Sequence, residues 1–143
     1  MPNETMKTFG FPETLVRQYG HWALLVRPAQ VTLGSLVLVS TGDETAFGAL
    51  PAEAFAELAE IVPRVEATLR DLVNYEKINY LMLMMVDPHV HFHVFPRYPG
   101  DRQLAGVRIS DAGWPGPPEL KSAVRLEMQQ IEALRARFMT GIC

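Results

Sequence analysis

Cysteine is almost absent from this chain. The only one is Cys143, the final residue, so no disulfide can form within the chain, and a reducing compartment is the natural expectation. Excess positive charge is missing as well: 13 Lys and Arg stand against 16 Asp and Glu, giving a formal net charge of −3 and a pI near 5.8. That balance argues against general affinity for nucleic acid or an anionic membrane. No apolar run approaches the ~18 residues of a membrane span, and the opening Met1-Pro-Asn-Glu-Thr5 lacks the basic-then-apolar pattern of a signal peptide. These absences predict a cytoplasmic protein with neither nucleic acid nor membrane as partner. Repeats and low-complexity tracts are also missing. What remains is ordinary: 143 residues, 48% hydrophobic and 20% charged, enough for residues 1–143 to form one domain around its own core.

The informative stretch is Asp87-Pro-His89-Val-His91-Phe-His93-Val-Phe-Pro96. Three of the four histidines recur here with a period of two. On an extended strand that period sets all three imidazoles on one face, with Val90, Phe92 and Val94 on the other. Pro88 and Pro96 bracket the strand, as suits residues without a backbone donor. An imidazole titrating near ~6.5 largely holds a free lone pair at neutral pH. Adjacent imidazoles repel when protonated, so at least one stays neutral beside a charged neighbour. Such a row offers attack on phosphorus and stabilisation of the developing phosphate charge from one strand.

Two other readings compete. Two of the histidines with a third ligand from elsewhere would make a zinc site. Convergence of all three on one ion is harder, because at ~3.3 Å per residue the first and last side chains start roughly 13 Å apart. The expectation is therefore no metal and no cofactor. A surface strand decorated with histidines is the remaining alternative.

The run His89-Val-His91-Phe-His93-Val-Phe95 resembles the signature of the histidine triad (HIT) family. Pro96-Arg97 and the following Pro-Gly-Asp-Arg102 resemble the branch that includes the fragile histidine triad hydrolases of dinucleoside polyphosphates. Leu15-Val-Arg-Gln-Tyr19, a Gly20-His21 turn and Trp22-Ala-Leu-Leu-Val26 resemble that family's first hairpin, and Leu33-Gly-Ser-Leu-Val-Leu-Val39 its next strand. The likeness spans roughly residues 12 to 100. It implies an α+β domain of HIT-like fold, with a five-stranded, mainly antiparallel sheet and two main helices, assembled as a homodimer. It also implies that the middle histidine, His91, attacks an α-phosphate and forms a nucleotidyl-histidine that water releases. His89 and His93 would then be the phosphate and leaving-group partners. A related transferase branch has glutamine at the third position, so His93 points to hydrolysis. Two departures stand out. Val86-Asp87-Pro88 replaces the Gly-Gln-Ser/Thr stretch that gives the family its phosphate donors, and Val26-Arg27-Pro28 stands where an aspartate usually holds the ribose hydroxyls.

Further candidates surround the triad. Arg97 can bind a polyphosphate tail as a fork, or simply face solvent. Arg27 can reach phosphate or sulfate, or be solvated at a strand end. Asp87 can orient a histidine or act on water as a base, or merely form a turn before proline. Trp114 lies in a long Pro/Gly-rich connection that resembles a lid and can stack a base, or pack on the sheet edge. His21 reads as a surface residue in a turn.

The apolar spacing predicts a helix from Pro51, as first helical residue, to Asn74, interrupted near Glu60 by Pro63. It predicts a strand over 78–86 covered on both faces, with Met82, Met84 and Met85 filling gaps or meeting a second subunit. A short Asp87-Pro88 turn should join that strand to the histidines, and a second helix should run from Pro118 to about Met139. The function these features predict is cleavage of small nucleotide conjugates at phosphorus. The rivals are a nucleotide-binding or sensing module and a metal-dependent hydrolase.

Overall fold

In a computed structural model, which describes residues 2–142, the chain begins with a short helix, α1 (Glu4–Thr8). Cys143 lies outside the described residues. Strands β1 (Leu15–Gln18) and β2 (Trp22–Val26) form an antiparallel hairpin, and after the two-residue β3 (Ala29–Gln30) the chain returns as β4 (Leu36–Ser40) beside β2. The long helix α2 (Ala52–Val73) leads to β5 (Lys77–Leu81), and β6 (His91–Arg97) then inserts between β4 and β5. The five-stranded sheet has the order β1-β2-β4-β6-β5 with every pair antiparallel. A hairpin of β7 (Asp101–Leu104) and β8 (Val107–Ser110) follows, then β9 (Val124–Arg125) and α3 (Met128–Ile142). This is the α+β architecture with a five-stranded sheet and two main helices that the sequence predicts.

Strand alternation divides the apolar residues between the two faces. Trp22, Leu24, Leu36, Leu38 and Val94 face α2 and α3, meeting Ile61, Val65, Leu69, Leu134 and Phe138 in the main core. Ala23, Leu25, Val37 and Val39 face the other way, against Met6 and Phe9. Burial of each such side chain contributes roughly 1.5–3 kcal/mol. Because β2 and β4 carry apolar residues at nearly every position, they are covered on both faces, and α1 supplies the second cover. Asn3 caps α1 by accepting from the Met6 amide at 2.9 Å, and its Nδ2 donates to the carbonyls of Ser40 and Gly42. The N-terminal segment is thereby stitched onto the sheet.

Several boundaries differ from the sequence reading. Pro51 is the N-cap of α2 rather than its first residue, and α2 continues through Pro63 without a break. Pro63 and Ala59, whose carbonyl loses its partner there, are both exposed, so solvent can satisfy the carbonyl. The strand foreseen over 78–86 ends at Leu81 and lies at the sheet edge, half-exposed. Residues 82–90 form a longer connection in which Met85 and Val86 are 83% and 89% exposed, replacing the expected short turn. The final helix begins at Met128, not Pro118, because 119–127 hold a 3-10 turn and β9, which pairs with β3. Leu120, Val124 and Met128 are exposed accordingly.

Candidate active site

Within β6 the period of two holds. His91, His93, Phe95 and Arg97 lie on the face covered by the N-terminal segment, while Phe92 and Val94 join the main core. His91 and His93 are both buried, and their rings meet edge to face at 5.0 Å. Phe9 lies over both, 5.8 Å from His91 and 5.5 Å from His93, and Phe95 stacks on the far side of His93. His89 is not on the strand. It sits in the preceding connection, where Thr5, wholly buried in α1, accepts from the His89 amide and bonds the His89 Nδ1, both at 3.1 Å. The row is therefore completed by α1, not by strand geometry alone.

The hydrogen bonds fix two tautomers. His91 Nδ1 lies 2.7 Å from the His89 carbonyl, which can only accept, so Nδ1 carries the proton and Nε2 presents a lone pair. His93 Nδ1 lies 3.4 Å from Nε of Arg27, which can only donate, so the proton of His93 is on Nε2. Burial, then the charge of Arg27, then His91 push the His93 pKa down to about 3. His93 is thus a neutral donor at physiological pH. Its neighbour His91 offers the nucleophilic nitrogen.

The other sequence candidates divide. Arg27 belongs to the site: besides touching His93 it donates through Nη1 to the Ala29 carbonyl and lies over the Phe95 ring at 5.8 Å. Its pKa is lowered by burial, opposed by the charge of Asp87 and reinforced by that of Arg125. Asp87 therefore acts electrostatically on Arg27. The turn that carries Arg27 is held by Gln30, which donates to the carbonyls of Arg27 and Ser35 and accepts from the amides of Gly34 and Ser35.

Arg97 is corrected. Its guanidinium is buried and held in a fork on Asp111 at 2.7 and 3.0 Å, with Asn79 and the Gly116 carbonyl as further acceptors. It anchors the segment after β8 to the sheet instead of presenting a free fork to phosphate. Trp114 lines a separate groove of about 400 Å³ with Arg97, Lys77 and Asn79, and no histidine lines it. Arg97 is four residues along the strand from His93, roughly 13 Å, so the structure does not bring Trp114 onto the triad. His21 is half-buried in its turn, its amide donating to Glu57.

Sequence reasoning missed Thr5, Phe9 and Arg125. Thr5 and Phe9 lie in a helix of five residues and its exit, too short for a periodic signal. Arg125 borders Arg27 in a cleft of about 150 Å³ that Thr8, Phe9, Pro28 and Ala29 complete. Only the pairing of β9 with β3, which sets Arg125 opposite Ala29, brings it there.

No family model matches the sequence, and no curated protein gives a significant match. Solved structures do match. A histidine triad (HIT) protein from Sinorhizobium meliloti 1021 superposes with a TM-score of 0.77 at 22% identity, over 99% of this chain and 96% of that one. A histidine triad protein from Bradyrhizobium japonicum gives 0.77 at 18% identity, over 100% and 98%. A hypothetical histidine triad nucleotide-binding protein from Sulfolobus tokodaii strain 7 gives 0.68 at 20% identity, over 90% and 83%. With its sheet order, its paired helices and His91 and His93 side by side on the inner strand β6, this chain has the fold of the histidine triad proteins.

Proposed function

We propose that the protein is a nucleotide hydrolase or transferase of the histidine triad type, cleaving phosphoanhydride or phosphoramidate bonds of small nucleotide conjugates, such as dinucleoside polyphosphates, through a nucleotidyl-histidine on His91. The observation that carries this is the 2.7 Å bond from His91 Nδ1 to the His89 carbonyl. It leaves the lone pair on Nε2, and the same carbonyl stabilises the ring when attack leaves it cationic. In the first step a bond forms between Nε2 and the α-phosphorus. The bond from phosphorus to the leaving group breaks, its electron pair departs with that group, and His89, the partly exposed imidazole, supplies a proton. His93 donates Nε2–H to a phosphate oxygen. Water then attacks phosphorus, the P–N bond breaks, and the nucleoside monophosphate leaves while His89 takes up a proton.

The Sulfolobus protein is described as nucleotide-binding, which supports the substrate class. One observation favours binding without turnover: His91 is only 2% exposed. Replacing His91 by Asn separates the two readings. The hydrolase reading expects turnover to fall by several powers of ten, with fold and nucleotide binding retained. Wild-type protein that binds nucleotide and returns it unchanged would establish the sensor instead. We further propose a cytoplasmic homodimer, supported by the free edge of β5 and the exposed Leu83, Met85 and Val86 beside it. A dimeric mass at micromolar concentration is expected.

A further inference from the structure

Arg27 and Arg125 both line the small cleft that Arg27 joins to His93. Among the described residues the guanidinium of Arg125, whose backbone pairs with Ala29, has no hydrogen-bond or ion-pair partner, and that of Arg27 commits only Nε and Nη1. Among the described residues no carboxylate lines this cleft, whose other walls are Thr8, Phe9, Pro28 and Ala29; Glu13 lies in the neighbouring cleft that Arg125 also borders. Asp87 offsets part of the Arg27 charge without lining the cleft, and Arg27 and Arg125 still act on each other across this small space and repel. That repulsion is relieved when an anion lies between them. Guanidinium groups present planar forks that match the oxygens of phosphate. The cleft also has a fixed relation to the reacting centre, because Arg27 Nε touches His93 and the His93 ring lies 5.0 Å from that of His91.

We infer that Arg27 and Arg125 form an oxyanion subsite that holds a second phosphate group of the substrate, apart from the one attacked by His91. This rests on the triad reading for the position of the first phosphate. Preferred ligands would then carry at least two phosphates, either in one chain or with one on the sugar. A plain nucleoside monophosphate leaves the subsite empty.

Calorimetric titration tests this without turnover. The probes are a nucleoside 5′-monophosphate, the matching 5′-diphosphate, the 3′,5′-bisphosphate, and inorganic phosphate. At least one of the two doubly phosphorylated probes should bind about tenfold or more tightly than the monophosphate, and which one it is tells whether the second phosphate lies in the chain or on the sugar. In Arg125→Ala that advantage should shrink to about threefold or less, and Arg125→Lys should restore part of it. Arg125 is exposed on a two-residue strand, so these variants should fold. Equal affinity for all three nucleotides, an advantage unchanged in Arg125→Ala, or no measurable binding of any probe would each overturn the inference. Trapped nucleotidyl-His91 alongside such a result would leave the hydrolase reading standing. A clear binding advantage with no trapped intermediate would do the reverse.

Discussion

At the scale of single residues, the two buried imidazoles divide the work because their surroundings differ. His91 has its Nδ1 proton pinned on a carbonyl, whereas His93 has Nδ1 turned toward a cation. The second arrangement has a consequence for stability. Folded His93 stays neutral down to about pH 3, while in the unfolded chain an imidazole takes its proton near ~6.5. Between those values the unfolded state binds the extra proton, so stability is full above about 6.5 and falls as pH drops toward about 3, by up to roughly tenfold in the folding constant per pH unit. Chemical denaturation across that window should show a shallower pH dependence for His93→Gln than for the wild type. Identical slopes would mean that His93 is protonated as readily in the fold as outside it.

Elements explain what no single residue does. Arg97 lies on the same strand face as the histidines, yet β8 delivers Asp111 to it as a buried partner. Replacing Arg97 by Met leaves that carboxylate unpaired and should destabilise the protein by about 3–5 kcal/mol. Nucleotide affinity of the folded fraction should change little, and a selective loss of affinity at unchanged stability would return Arg97 to the binding site. The difference between strand and loop also shows what was legible in the sequence. His91, His93 and the hairpin from Leu15 to Val26 were readable because period-two alternation and a Gly-His turn are local signals. His89 belongs to the same repeat but leaves the strand, because Thr5 from the far end of the chain captures its backbone amide. The β7–β8 hairpin escaped notice although Leu104, Val107 and Ile109 are buried. Its four-residue strands sit among prolines and glycines, and its turn, Ala105-Gly106, uses positive φ at both residues, which alanine does not advertise. The apolar run after Leu81 misled for the opposite reason: hydrophobic composition fits a buried strand, but no element among the described residues covers Met85 and Val86.

At the scale of the whole molecule, the site lies between the sheet and the N-terminal segment. His91 and His93 are held on β6, an inner strand of the sheet, and Arg27 and Arg125 flank it from the turn before β3 and from β9. No helix among the described residues is long and apolar enough to cross a membrane. With a net charge of −3, attraction for a phosphorylated ligand must come from this local concentration of arginine and histidine and should weaken with salt. The central claim is that His91 becomes covalently attached to phosphorus. Rapid acid-free quenching of the wild type during turnover of a labelled dinucleoside polyphosphate, in the presence of a strong chelator, followed by peptide mapping, tests it most directly. The account predicts base-stable, acid-labile label on His91 and none in His91→Asn. Turnover without label on His91, label on another residue, or activity that disappears with the chelator and returns with zinc would contradict it.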